Sequence, residues 1–143
     1  MKKNPWLSRD LFTTNIYYAL ATTEAEYLRH MRDMLLANPE GWLGDHPKVA
    51  GRTHHTENKK TGEQRIIVCV PIRPKRPIWD TVGILTHEGM HVWRAMREDI
   101  GETSPSSEFE AYAIQTIVGH LMWAYDRAAT AAARKQARAK APK

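Results

Sequence analysis

The stretch Thr86-His87-Glu88-Gly89-Met90-His91 carries the strongest structural and chemical signal in the sequence. On a helix, residues four apart lie about 40° from each other round the axis, so the two imidazoles leave one face a turn apart. Two histidines at this spacing suit one zinc ion, for which imidazole nitrogen is a common ligand. Glu88 lies beside the first histidine, where a carboxylate can take a proton from a water on the metal. The alternative interpretation is a buried pair of structural histidines.

The residues around this motif predict a helix that follows a β-hairpin. The helix covers about residues 79–100 and ends before Gly101, a typical C-terminal glycine. Its buried side is marked by apolar residues at helical spacing, namely Ile84, Leu85, Val92 and Met96. Residues 65–72 are rich in β-branched side chains and predict a strand. A polar turn at 58–62 connects this strand to a second, antiparallel one over 48–55.

Helical patterns flank this unit on both sides. We expect one helix over residues 8–20 and a second over 24–36, the latter capped by Thr22 or Thr23. A last helix is predicted over 104–125, with a serine and then a proline at its start. The predicted fold class is therefore α+β, mainly helical, with a small antiparallel sheet or hairpin beside the motif helix.

Catalytic zinc needs a third protein ligand in addition to the two histidines. The candidates are Glu108 and Glu110, which lie about 200° apart on a helix, so only one of them can face the metal. Each also has a structural explanation. Ser107 and Glu110 would form a capping box if Ser107 were the N-cap, and Glu108 would favour the helix dipole in the first turn.

The motif His87-Glu88-Gly89-Met90-His91, with a glutamate on the following helix, resembles the zincin metallopeptidases, and specifically their glutamate-ligand branch, the gluzincins. The resemblance implies a zincin-like fold, with Glu88 as general base and zinc held by His87, His91 and Glu108. Ala111, three residues after Glu108, matches one setting of the family's ligand. The aminopeptidase branch instead places eighteen residues between the second histidine and the glutamate, which selects Glu110 as the reserve ligand.

The resemblance also draws attention to residues outside the motif. Tyr112 stands where gluzincins have an aspartate that supports the site, and we consider it a catalytic candidate together with His55 and His120. His54 and His55 are adjacent on a predicted strand and point to opposite faces, so only one of them can line the site. In zincins an edge strand beside the active helix binds extended peptide, and residues 65–70 are predicted to have this role.

The segment 84–125 further resembles small uncharacterised proteins encoded by bacteriophages and prophages. We expect zinc-dependent hydrolysis of a peptide or related amide bond in a peptide or protein substrate. The alternative is a non-catalytic phage protein with a zincin-like fold, in which structural zinc supports binding to a host or virion partner. The expected location is the cytoplasm, that of the bacterial host if the protein is phage-encoded, and association with the virion is a second expectation.

Composition limits these hypotheses. A chain of 143 residues with 42% hydrophobic and 26% charged residues predicts one globular domain, which we assign to 1–126. We expect no membrane partner, no signal peptide and, because Cys69 is the single cysteine, no internal disulfide. Residues 127–143 form a basic Ala/Arg/Lys-rich tail, expected to be partly helical or disordered. Its six basic residues account for the net charge of +5 and leave −1 for the rest, so nucleic acid is expected only as a weak contact of the tail.

Overall fold

The computed structural model describes residues 14–44 and 49–140. Within them, three strands and three helices follow one another along the chain. Their order is β1 (Ile16–Ala21), α1 (Glu24–Asp33), β2 (Arg52–Asn58), β3 (Glu63–Cys69), α2 (Ile78–Asp99) and α3 (Ser107–Lys140). The described part of the chain is therefore an α+β fold, as the sequence predicted.

The three strands form one mixed sheet in the order β1-β3-β2. β2 and β3 make the predicted antiparallel hairpin, and Gly62 in its turn has φ of 70°, a left-handed conformation that glycine adopts readily. β1 runs parallel to β3, so the sheet is not purely antiparallel. β3 is the central strand, and the prediction that residues 65–70 form an edge is wrong. Among the described strands, β2 is the edge on the hairpin side.

The helix predicted over residues 8–20 is wrong where the structure tests it. Residues 8–13 lie outside the described range, and the following residues form β1, with Tyr18 paired to Ile66 of β3. Its side chains are buried on both faces, as expected of a strand covered on both sides. Tyr, Ala and Leu in this segment are compatible with a helix, so only the pairing with a strand distant in sequence selects the extended conformation.

Helices cover both faces of the sheet. α1 covers one face, where Tyr27 and Met31 are buried with Ala19, Ile67 and Cys69. The larger core lies on the other face, between the sheet and the pair α2 and α3. Its buried residues include Tyr18, Ile66, Val68, Leu85, Val92, Trp93, Ile117 and Leu121. Cys69 is a small, fully buried core residue, and burial raises the pKa of its thiol to about 12.

The starts of α1 and α3 show how local sequence sets helix ends. Thr23 caps α1 in a reciprocal capping box with Glu26. It is one of the two N-caps, Thr22 or Thr23, that the sequence predicted. α3 starts later than predicted, because the Ser106 hydroxyl accepts a hydrogen bond from the backbone N–H of Phe109 at 3.2 Å. The capping box between Ser107 and Glu110 is therefore not formed.

The two long helices pack closely and one of them extends beyond the predicted limit. α2 agrees with the predicted bounds to within about one residue at each end, and Gly101 after it has φ of 70°. At Gly89 a Cβ atom would lie 3.0 Å from Val118 Cγ2, so the two helix backbones approach each other there. α3 continues to Lys140, so the part of the basic tail that is described, 127–140, is helical.

In the described residues, no helix combines the length and apolar character that crossing a membrane requires.

Candidate metal centre

His87 and His91 leave α2 on the same side, one turn apart, as their spacing predicts. Their Nε2 atoms are 3.3 Å apart. Two nitrogens bound to one tetrahedral zinc at about 2.0–2.1 Å would be about 3.3 Å from each other, so the pair fits two positions of a zinc site. The same distance allows a hydrogen bond between the two rings when one is a donor and the other an acceptor. Both rings are exposed and border a cavity of about 400 Å³.

The carboxylate of Glu88 lies in the wall of this cavity. Glu88 is only 5% exposed, and its Oε2 accepts a hydrogen bond from the Thr53 hydroxyl at 2.7 Å. Glu88 projects about 100° from His87 round the helix, towards β2. A buried carboxylate needs hydrogen-bond donors, and Thr53 supplies one from the neighbouring strand. The side chain is thus held beside the histidine pair and does not point into solvent.

The edge strand β2 and the residue before it form the opposite wall of the cavity. Its lining residues there are Gly51, Arg52, Thr53 and His55. Gly51 allows the close approach of strand and helix, because a Cβ at this position would lie 2.8 Å from Ile84 Cγ2 and 3.2 Å from Glu88 Oε1. The cavity is therefore a cleft between the motif helix and an exposed strand edge.

His54 and His55 point to opposite faces of β2, as predicted. His55 lines the cavity, and its Nε2 lies 3.0 Å from the side-chain oxygen of Gln64. His54 is buried on the α1 side, with its Nε2 2.9 Å from the carbonyl of Trp42 and its ring 4.7 Å from that of Tyr27. Burial lowers the pKa of His54. His55 is therefore the member of the pair that belongs to the site.

Glu108, Glu110 and Tyr112 of α3, which the sequence suggested, do not line the cavity. Glu108 is exposed in the first turn of α3, and Tyr112 is 58% exposed. Glu110 Oε1 accepts a hydrogen bond from the Trp93 indole at 2.8 Å and lies 3.9 Å from Arg97 Nη1. Within residues 14–44 and 49–140, no group of three His, Cys, Asp or Glu side chains is placed to hold a metal ion.

The contacts of Glu110 nevertheless place it on a defined side of α2. Measured from His87, Trp93 and Arg97 project about 120° and 80° round the helix, in the direction away from Glu88. Trp93 is two residues past His91, about 3 Å along the axis. Trp93 therefore projects about 160° from His91, on the buried side of α2 that packs against α3. Glu110 is held on that side of α2 and not beside the histidine pair.

His120 is half-buried against β1 and does not line the cavity. Its Nδ1 lies 2.7 Å from the hydroxyl of Tyr18, which is buried on β1. The residues that the sequence analysis missed are Gly51 and Thr53. Period-two alternation from His55 would have put Thr53 on the same face, but nothing local shows that this face meets Glu88.

Comparisons with known proteins add no relative to this description. No protein-family model matches the chain, and no curated protein and no solved structure is similar to it. Its function is therefore inferred from the geometry of its own residues.

Proposed function

We propose that the protein is a zincin-like, zinc-dependent hydrolase that cleaves a peptide or related amide bond. One observation carries the proposal: the paired Nε2 atoms of His87 and His91, 3.3 Å apart, share a cleft with the buried carboxylate of Glu88. Two of the three protein ligands that catalytic zinc needs, and a carboxylate base next to them, thus share one cleft. The resemblance to gluzincins and to phage-encoded proteins agrees with this function and with action inside a bacterial host.

Glu110 is the third ligand in this proposal, in preference to Glu108. Glu110 is half-buried and contacts α2 through the Trp93 indole, whereas Glu108 is exposed in the first turn. The indole occupies Oε1, and a monodentate ligand uses the other oxygen. A hydrogen bond of this kind orients a metal-binding carboxylate in many zinc sites. The eighteen-residue spacing of the aminopeptidase branch also selects Glu110.

The protein's own groups divide the work of hydrolysis. Zinc, when bound, supplies a Lewis acid that lowers the pKa of water towards neutrality. Glu88 accepts the proton of the attacking water and delivers it to the leaving amine, while Thr53 keeps its carboxylate oriented. β2, not β3, offers the main-chain edge along which an extended peptide can pair. His55 faces the same cleft and is placed to contact the substrate.

Metal content of the purified protein tests the assignment. We expect about one zinc per chain in the wild type, and a loss of zinc affinity well beyond the roughly 10–100-fold effect of supporting residues in His87→Ala and Glu110→Ala. Glu88→Gln should keep the metal and abolish cleavage of a peptide library. Glu108→Ala is the matched control, since it removes a neighbouring carboxylate from the same turn. Wild-type protein that takes up no zinc would overturn the proposal.

The non-catalytic alternative makes a different prediction for the same variants. If zinc only clamps the fold, its removal lowers the free energy of unfolding, and no peptide is cleaved by either wild type or Glu88→Gln. Cleavage that depends on Glu88 rejects this alternative, and zinc-dependent stability without any cleavage supports it.

A further inference from the structure

The second half of α3 leaves the body of the protein. The last buried residue of the helix is Tyr125, and three half-buried alanines follow, Ala128, Ala129 and Ala132. From residue 133 to 140 every side chain is exposed. Alanine has the highest helix propensity, so this segment continues the packed helix without a packed face of its own. It therefore presents a thin helix to solvent.

The basic side chains of this segment are not spread evenly round the helix. Trp123, Arg127, Arg134 and Arg138 fall within an arc of about 60° and span about 22 Å along the axis. The half-buried alanines lie about 100–200° away from Arg127, towards the body, so the stripe points outward. The Arg127 guanidinium lies 4.6 Å from the centre of the Trp123 ring, which holds it at the base of the stripe. We call these four residues the arginine stripe.

Beyond Asp126, the charge around the arginine stripe is of one sign. Residues 127–140 contain five basic side chains and no acidic one, since Lys135 and Lys140 join the three arginines. Arginine is suited to phosphate because its planar guanidinium donates two hydrogen bonds at once. The ligand that matches a row of such groups is a row of phosphates.

Helix thickness and composition select among phosphate-bearing partners. The major groove of B-form DNA, about 12 Å wide, admits an α-helix, whereas the major groove of duplex RNA is too narrow. Helices that lie on membranes carry large apolar side chains opposite their basic face. Here the other positions of 127–140 are alanine, threonine or glutamine, so this segment has no large apolar side chains to insert into a membrane.

From these features we infer that residues 123–140 of α3 bind duplex DNA through its phosphate backbone, with the arginine stripe facing the groove. The binding is independent of base sequence, because the contacts are charged and directed at phosphates. It is also independent of the proposed zinc site, which lies in the cleft between α2 and β2. The body of the protein would thereby be tethered to DNA.

The test is fluorescence anisotropy of a labelled DNA duplex of about 20 base pairs, titrated with the full chain between about 50 and 200 mM salt. Wild-type protein should bind, with a slope of log affinity against log salt of about −4 for four to five neutralised phosphates. Arg134→Ala/Lys135→Ala/Arg138→Ala should weaken binding at least about 10-fold and reduce that slope by about 3. The charge-matched control Lys59→Ala/Lys60→Ala/Arg32→Ala removes three exposed charges elsewhere on the protein. It should leave the affinity for DNA and its salt dependence unchanged.

A second variant and two further probes make the result decisive. Arg134→Lys/Arg138→Lys keeps the charge and should retain affinity within about threefold, since phosphate contacts depend mainly on charge. Circular dichroism of the triple variant checks that α3 is still helical. The inference is overturned if wild type does not bind the duplex or if the charge-matched control loses as much affinity. Equal tail-dependent binding to duplex RNA or to phosphatidylserine vesicles would also overturn it.

Discussion

Thr53 and Glu88 show how a single hydrogen bond between two elements shapes the cleft. The Thr53 hydroxyl donates to a carboxylate that is 5% exposed. Thr53→Val keeps the shape of the side chain but leaves the carboxylate without this donor. We expect it to lower the free energy of unfolding by about 1–3 kcal/mol, measured by urea denaturation. Thr53→Ser keeps the hydroxyl donor and should lower the free energy of unfolding by less than Thr53→Val does.

A double-mutant cycle isolates that hydrogen bond. Thr53→Val combined with Glu88→Gln should be less destabilising than the sum of the two single changes, because removing the charge reduces the need for a donor. Additive effects would show that the two side chains do not interact. This readout needs neither metal nor substrate, so it tests the cleft geometry separately from the proposed activity.

At the level of single residues, the sequence predicted which side of α2 carries the motif residues but not all the residues of other elements that contact them. The 3.6-residue repeat alone places His87, Glu88 and His91 round one side of α2. Where the glutamates of α3 lie relative to the pair depends on how two helices pack, and the Trp93 indole holds Glu110 against the buried side of α2. No local pattern contains that contact.

At the level of elements, the packing of α2 on α3 depends on Gly89. A Cβ there would lie 3.0 Å from Val118 Cγ2 and 3.6 Å from Ile117 Cγ2. Gly89→Leu should therefore separate the helices and lower the free energy of unfolding by about 1–3 kcal/mol or more. Gly83→Ala is the matched control on the same helix, where a Cβ meets no atom within 4 Å. It should raise stability by about 0.5–1 kcal/mol, through helix propensity.

Thermal unfolding followed by circular dichroism distinguishes the two glycines. Opposite shifts of the melting temperature support close packing at Gly89 and open space at Gly83. If Gly89→Leu is as stable as wild type, α2 and α3 are not in contact at Gly89. Because the histidine pair is on another side of α2, a tolerated Gly89→Leu variant would also leave zinc binding intact.

The elements themselves were predicted with unequal success. α2 and the hairpin follow from local periodicity and turn residues, which describe contacts within a few positions of the chain. β1 was mistaken for a helix and β3 for an edge strand, since strand order depends on pairing between distant segments. The same long-range pairing moved the substrate edge of the proposed cleft from β3 to β2.

For the whole molecule, buried histidines should make stability depend on pH. Burial, assisted by the charge of Arg29, lowers the pKa of His30 to about 4 from its ordinary value of 6.5, and burial also lowers that of His54. The unfolded chain binds these protons more readily than the folded one. Stability is therefore complete above about pH 6.5 and decreases as the pH falls towards 4. Through His30 alone, lowering the pH from 7.5 to 5 should reduce the free energy of unfolding by about 2 kcal/mol.

Urea denaturation at several pH values measures this dependence. His30→Gln removes the titrating group, and its free energy of unfolding should change less over this pH interval than that of wild type. The comparison concerns the pH dependence and not the absolute stability, which the substitution also alters. His55→Gln, at an exposed position, serves as the control and should keep the wild-type dependence. Equal pH dependence in wild type and His30→Gln would contradict burial of His30.

The sequence by itself determined the features whose causes lie within one or two turns of chain. These are the long helix with His87, Glu88 and His91 on one side, the capped start of α1, the hairpin turn and the basic segment after Tyr125. The tertiary structure decided the rest: the strand order, the burial of Glu88 against Thr53, the exposure of Glu108 and the direction of the arginine stripe. The physical reason is that periodicity and capping are local, whereas pairing, burial and helix packing depend on residues that meet only after the chain has folded.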